Sequence, residues 1–421
     1  MKQTQEPNAI AAKDAAILRE LGRQVAAIAA LPLQQETIRL WKALNGLKPI
    51  RPMVMIDQIP WHEMNVNDEL TLQTEGGEAR AIETGLRRRL YQWKHMPADF
   101  VVEARFAVPR AIGGRDFGIQ VDEDRAVLDP QNSVTGHLYH DQLHSEDDLE
   151  KIRTPVLRHD AEATRRRVAA MQELFGGILD VVECGPSVML NIWDQIVTWR
   201  GAEAVLMDLG DRPEFIHKLM GRVTAATVSL LDQLEGQGLL TSPGNWVHCT
   251  GAFSDELPAP GCRPDRARTR DLWVSGMAQI FSSVSPAMHQ EFDLAYLNPL
   301  YARFGRVYYG CCEPLDRKLD IVRKIPNLRK ISMSPWVNVD LGAEQIGRDF
   351  VFSRKPSPAP LAMDAWEPDA VEQDLRATLD ACKRNGCPVE LILKDISTVQ
   401  YQPHRLWEWA SIAQRVVAGY Q

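Results

Sequence analysis

Two adjacent cysteines, in the segment Val307-Tyr-Tyr-Gly-Cys-Cys-Glu-Pro-Leu-Asp316, are the residues of this 421-residue chain best suited to chemistry. Successive side chains on an extended strand face opposite sides, so Cys311 and Cys312 diverge unless the strand ends there. At a strand end one thiol can turn into a pocket while the other packs behind it. A thiolate beside a histidine and carboxylates is a ligand set favoured by zinc, and an incomplete shell leaves a position for substrate. His248, followed by Cys249, completes such a set with Glu291 or Glu313. The same residues also read as small core cysteines and a hydrogen-bonded core histidine, since no tight CxxC or HExxH spacing accompanies them.

A second candidate is Lys394-Asp395, at the end of the apolar run Val389-Glu-Leu-Ile-Leu393. A lysine there is costly to bury unless paired. It pins a substrate carboxylate or acts as an acid, or else it forms a structural pair with Asp395. Glu103 and Glu183 also close apolar runs, and are candidates for acid–base work. Trp61, Tyr91, Trp93 and His95, with His62 beside them, supply aromatic area near the first strands and read either as substrate wall or as core. Tyr309, before the cysteines, and Trp336, after Ser334, join that substrate-binding set. Asp57 and Lys355 end further runs. No phosphate loop, dinucleotide fingerprint or GxSxG elbow occurs.

These residues need elements that gather them. Short apolar runs at Met53–Asp57, Phe100–Phe106, Ile178–Glu183, Gly244–Cys249, Arg306–Cys311, Leu328–Ser334, Phe350–Ser353 and Val389–Lys394 alternate with helical patterns. The clearest helix runs from Pro213 to Leu234; others are expected at 160–175, 187–208, 264–281, 286–303, 315–325, 367–385 and 404–418. Strands alternating with long helices imply parallel pairing through crossovers. The expectation is an α/β fold, a (β/α)₈ TIM barrel over 51–421, with an N-terminal helical extension over 1–50. Loops at about 110–150 and 251–270 are expected as insertions, the first over the barrel mouth. A parallel barrel places its chemistry at the carboxyl ends of its strands, where the candidates above fall.

Lys and Arg total 48 against 56 Asp and Glu, a formal net charge of −8. A mildly acidic chain without a long basic block is a poor partner for nucleic acid or an anionic membrane. The runs Arg87-Arg88-Arg89 and Arg165-Arg166-Arg167 read as solvated helix faces. The N-terminus lacks the apolar core of a signal peptide, and no apolar run reaches the roughly 20 residues of a membrane span. Seven cysteines, an odd number, suggest a reducing, cytoplasmic setting.

The phrases Arg51-Pro-Met-Val, Tyr-Gly-Cys-Cys-Glu-Pro-Leu-Asp316, Asn-Leu-Arg-Lys-Ile-Ser332 and Leu-Lys-Asp-Ile-Ser-Thr398 resemble the uroporphyrinogen decarboxylase superfamily over about residues 35–418. That group of TIM barrels includes cobalamin-dependent methyltransferases. True decarboxylases carry arginines after the Arg-Pro lead-in to grip their polyanionic substrate; here the stretch reads Asp57-Gln-Ile-Pro-Trp-His-Glu63, which argues against porphyrinogen chemistry. The methyltransferases hold zinc through His-x-Cys-Gly and a later cysteine. Here one thiolate is kept, and Lys394-Asp395 falls near the second position. The resemblance implies methyl transfer from a small methylated compound to a corrinoid protein or to tetrahydrofolate, with zinc at His248, Glu291, Cys311 and Cys312. The alternatives are a metal-independent decarboxylase or lyase using Lys394 and strand-end carboxylates, and an inactive small-molecule-binding barrel. A homodimer is left open.

Overall fold

The computed structural model describes residues 10–420 except 128, 133, 242 and 243. Nine strands carry the argument. They are β1 (Met53–Ile56), β2 (Arg105–Pro109), β3 (Asp180–Cys184), β4 (Met189–Leu190), β5 (Trp273–Gly276), β6 (Arg306–Tyr309), β7 (Leu328–Met333), β8 (Val351–Arg354) and β9 (Val389–Leu393). Seven of them form one parallel sheet in the order β1-β9-β8-β7-β6-β5-β4. The remaining two, β2 and β3, form a separate parallel pair. The chain is thus a mixed α/β fold around a seven-stranded parallel sheet.

Among the described residues the expected single closed ladder is interrupted in two places. Between β3 and β4, Gly185 and Pro186 break the strand. A Cβ on Gly185 would lie 2.2 Å from the Leu239 carbonyl oxygen, and proline has no N–H to donate. Between β1 and β2 a side chain replaces the ladder: Asp99 N–H donates to the Val54 carbonyl at 2.8 Å, and Val54 N–H donates to Asp99 Oδ2 at 2.7 Å.

The pleat sorts residues as period two requires. Val54 and Ile56 join the large core that includes Tyr91 and Trp409, while Met53 and Met55 face Trp41, Cys249, Phe253, Val351 and Ile392. The helices Ala12–Ala29 and Pro32–Asn45 form the expected N-terminal extension. The second presses Trp41 so closely on Gly251 that a Cβ there would meet the indole at 2.7 Å.

Two expected elements differ. Gly244–Cys249 does not form a strand of the large sheet. It is a small antiparallel hairpin, Trp246–Val247 against Thr250–Gly251, whose turn holds His248 at φ +53°. The expected helix over 264–281 instead contains β5, which pairs with β4 and β6. Its four residues are too few to impose a period, and the polar stretch before them reads as a helix face. The expected helices over 160–175, 213–234, 367–385 and 404–418 appear as Ala161–Phe175, Pro213–Gly236, Pro368–Asn385 and His404–Ala418. Within 110–150 lies the hairpin Glu123–Ala126 with Gly136–Tyr139. No helix among the described residues is long and apolar enough to cross a membrane.

Candidate active site

Strand β6 ends at Tyr309, and Gly310 at φ +94° turns the chain there. A side chain at Gly310 would press on Leu315 at 2.5 Å, so the turn requires glycine. The turn leaves the two sulfurs 3.6 Å apart, with Cys311 buried and Cys312 partly exposed. Lys394, at the end of β9 and only 3% exposed, places Nζ 2.9 Å from the Cys311 sulfur. His248, in the hairpin turn, has Nδ1 2.7 Å from the Cys249 sulfur, stacks on Tyr308 with centroids 4.9 Å apart, and lies near enough to Cys311 to favour its thiolate. Three separate segments of the chain thus meet at one sulfur.

The charges follow from these contacts. Donation from the Cys312 thiol, aided by His248 and the Lys355 ammonium, holds the Cys311 thiol well below its ordinary range despite burial. Cys312, whose proton is committed to that neighbour, is pushed up in turn. The pair is one thiolate and one thiol. Burial opposes the charge on Lys394, but the Cys311 anion outweighs it and the ammonium is held above its usual range. Burial lowers the proton affinity of His248, favouring neutral imidazole. Burial also raises Asp57, and lifts Asp194 to about 6, where the charges of Glu313 and Cys311 add to the effect.

Second contacts fix the first. The Glu313 carboxylate accepts the backbone N–H groups of Cys311 at 2.9 Å and Ala278 at 3.0 Å. Ser332 Oγ donates to the Cys311 carbonyl at 2.7 Å, and Lys355 Nζ donates to Ser332 and Tyr308, each at 2.5 Å. Asp395, at φ +57°, takes its N–H to Gln58 and stands 3.5 Å from the Cys312 sulfur.

A cavity of about 520 Å³ opens beside this centre, lined from both sheets and the hairpin. Met55, Trp273 and Ser275 come from the large sheet, Arg105 and Ala107 from β2, and His248 and Trp246 from the hairpin. Glu103 lines it too, accepting from Asn245 Nδ2 at 2.8 Å.

The other expected site residues are placed elsewhere. Glu183 is exposed and clamped by Arg110 at 2.5 Å, an ion pair that ties β3 to the Gly238 and Asp265 carbonyls. Glu291 is exposed and pairs with His217 at 3.1 Å, so it is no partner of Cys311. Tyr91 is core, its hydroxyl donating to the Met64 carbonyl, and Trp61 meets it edge-on. Trp93 packs in a satellite core with Phe100. His95 is held by Glu69 and stacks on Trp407. His62 stands by Glu63 and Asp129. Tyr309 faces away from the cavity, donating to Asp293 at 2.7 Å beside His289. Trp336 is 77% exposed. Tyr309 is turned from the cavity by the alternation of β6, whereas Trp336 lies in the turn after β7.

The expected zinc set does not assemble. No three of His, Cys, Asp or Glu converge as metal ligands among the described residues, and a lysine ammonium already neutralises the Cys311 sulfur. The donors present do not fit zinc.

Sequence reasoning missed Asp194, Tyr308, Arg89, Arg105 and Trp273. The run Arg87–Arg89 read as one solvated face, yet successive residues of a helix point about 100° apart. Arg87 pairs with Glu83, Arg88 lies over Trp61, and Arg89 enters the cavity.

No protein-family profile matches the sequence, and none of the curated proteins does. Among solved structures, a methyltransferase from Methanosarcina mazei aligns over 90% of this chain and 97% of its own, at 12% identity and a TM-score of 0.48. A likeness of that strength says nothing of chemistry.

Proposed function

We propose that this chain is a small-molecule methyltransferase of the uroporphyrinogen-decarboxylase-like kind, with a thiolate–ammonium pair where the zinc-dependent methyltransferases of that superfamily use a zinc-held thiol. What supports the fold part of this reading is strand number: with β3 and β4 counted as one stave, the seven-stranded sheet and the separate β2–β3 pair supply the eight parallel staves such a barrel needs. The observation that carries the reading is the buried Cys311 sulfur with Lys394 at 2.9 Å. A thiolate is the nucleophilic form of cysteine, and burial strips the water that would shield it.

In this reading Cys311 attacks the methyl carbon of an O- or N-methylated donor. The sulfur–carbon bond forms as the carbon–heteroatom bond breaks, and the departing electron pair takes a proton from Lys394. A nucleophilic acceptor, a corrinoid protein or tetrahydrofolate, then removes the methyl group and restores the thiolate. Lys394 regains its proton from solvent.

The same lysine supports a second reading, a metal-independent lyase or decarboxylase in which Lys394 works with Asp57 and Asp395. One experiment separates them. Incubation with methoxyl and methylamine donors, followed by peptide mass spectrometry, is expected to show one added methyl group on Cys311. Cys311→Ala is expected to lose turnover by about 10⁴-fold or more, as removal of a nucleophile does. Turnover that survives Cys311→Ala but not Lys394→Gln overturns methyl transfer in favour of the lyase.

A further inference from the structure

We infer that the cavity between the two sheets binds an organic monocarboxylate, its carboxylate held by Arg105 and Arg89 and its apolar body against Trp41, Phe100, Trp246 and Trp273. The inference deepens the proposed function, taking this cavity as its substrate chamber.

The argument is a count of donors and charges. Arg105 stands at the start of β2, on the same face as Ala107, and both line the cavity. Its Nε is buried with no acceptor among the described residues. Trp273, 7% exposed, lines the same cavity with its indole N–H likewise buried and unpaired. A guanidinium stays protonated and presents only donors, so the group that completes this site is an acceptor. The carboxylates nearby are already engaged. Asp99 is spent on Arg51 at 2.6 Å and on the Val54 N–H, and Glu103 accepts from Asn245 while balancing Arg89.

Two guanidiniums against one carboxylate, Glu103, leave one net positive charge on the lining, with His248 neutral and the Arg51–Asp99 pair cancelling. One negative charge on the ligand restores balance; two would leave an anion uncompensated. The remaining wall is aromatic, and Trp41 and Trp246 have their indole N–H groups occupied by the Asp99 and His248 carbonyls, so they offer ring surface alone. The cavity's volume of about 520 Å³ lies within the range of about 300–1,000 Å³ that small-molecule sites occupy. His248 belongs both to this wall and to the Cys311 centre, so a molecule seated on the arginines extends toward the thiolate.

Benzoate titrated into the intact protein, with the indole fluorescence of the cavity wall as the signal, tests this. Benzoate is expected to bind at least about tenfold more tightly than benzamide, terephthalate or inorganic phosphate, the factor that one charge-assisted hydrogen bond supplies. Arg105→Gln and Arg89→Gln are each expected to weaken benzoate by a similar factor. Arg105→Lys and Arg89→Lys, which keep the charge, are expected to recover part of it, and thermal melts confirm that all four variants fold. Benzamide or phosphate binding as well as benzoate, or folded Gln variants binding like the parent, would overturn the inference. A parent protein that binds benzoate but transfers no methyl group refutes the reaction and sustains this inference.

Discussion

Two lysines sit inside the sheet with an anion beside each, and they differ in what seals them. Lys330, on β7, meets Glu390 of β9 at 2.8 Å, both fully buried, with Thr250 and the Gly251 carbonyl closing around the ammonium. Lys394, just past the end of β9, meets Cys311 at 2.9 Å, but its surroundings reach a cavity through His248 and solvent through Asp395. The chemistry of burial is alike in both. A carboxylate locked by the Thr250 hydroxyl and the Lys330 ammonium, itself covered by the aromatic faces of Trp41 and Trp273, has nowhere to react. The Cys311 sulfur is itself buried, but its neighbour His248 lines the cavity and its neighbour Cys312 is partly exposed. On the proposed reading, the contrast teaches that a buried ion pair becomes a reactive centre when one partner is a nucleophile and its neighbours reach a cavity or solvent.

The sharpest way to break this contrast is to remove one charge from the sealed pair. Lys330→Met strands Glu390 in the core, where a lost partner costs about 3–5 kcal/mol. The expected result is a large drop in the denaturation midpoint. The double variant Lys330→Met with Glu390→Leu is expected to regain much of that stability; failure to do so would show that the pair is more than structural packing.

At the open pair the same kind of change is expected to act on chemistry first. Lys394→Gln removes the adjacent positive charge and is expected to raise the apparent pKa of Cys311 by about 1–3 units, the usual effect of an opposite charge at such range. The rate of iodoacetamide alkylation against pH measures it. In the parent protein the reactive thiolate persists well below the ordinary thiol range, because folding depresses the Cys311 pKa. The linked stability is present above the unfolded thiol pKa and is lost as pH falls through the folded one. An unshifted profile in Lys394→Gln would assign the thiolate to Cys312 and His248 alone.

The smallest expected effect concerns Asp194. Its folded pKa, raised to about 6 chiefly by burial, means that the protonated form favours folding. That contribution is present below the unfolded value and is lost as pH rises through about 6. Asp194→Asn is expected to flatten the fall in melting temperature over that interval while leaving benzoate binding alone.

Much of the scaffold was legible because it repeats. The long helices declare themselves by apolar spacing, and β1, β6, β7, β8 and β9 by short apolar runs between them. β5 was hidden, since four residues, Trp-Val-Ser-Gly, carry no period of their own. The site was half legible. Cys311 and Lys394 were picked out by type and strand-end position, and His248 by type alone, since its expected strand is a hairpin turn; Glu291 and Glu183 were drawn in by type although both lie on exposed surface in ion pairs of their own.

Sequence alone determined which groups were available: adjacent cysteines after a glycine turn, a lysine closing the last apolar run, a histidine before a third cysteine, and no surplus of positive charge to serve nucleic acid. Tertiary structure alone decided which groups meet. Spacing along a chain reports local period, but the 83 positions between Cys311 and Lys394 collapse to 2.9 Å only because β6 and β9 belong to one parallel sheet and end on the same side. Protonation follows from that meeting, since a thiol's charge depends on the ammonium and imidazole that happen to surround it.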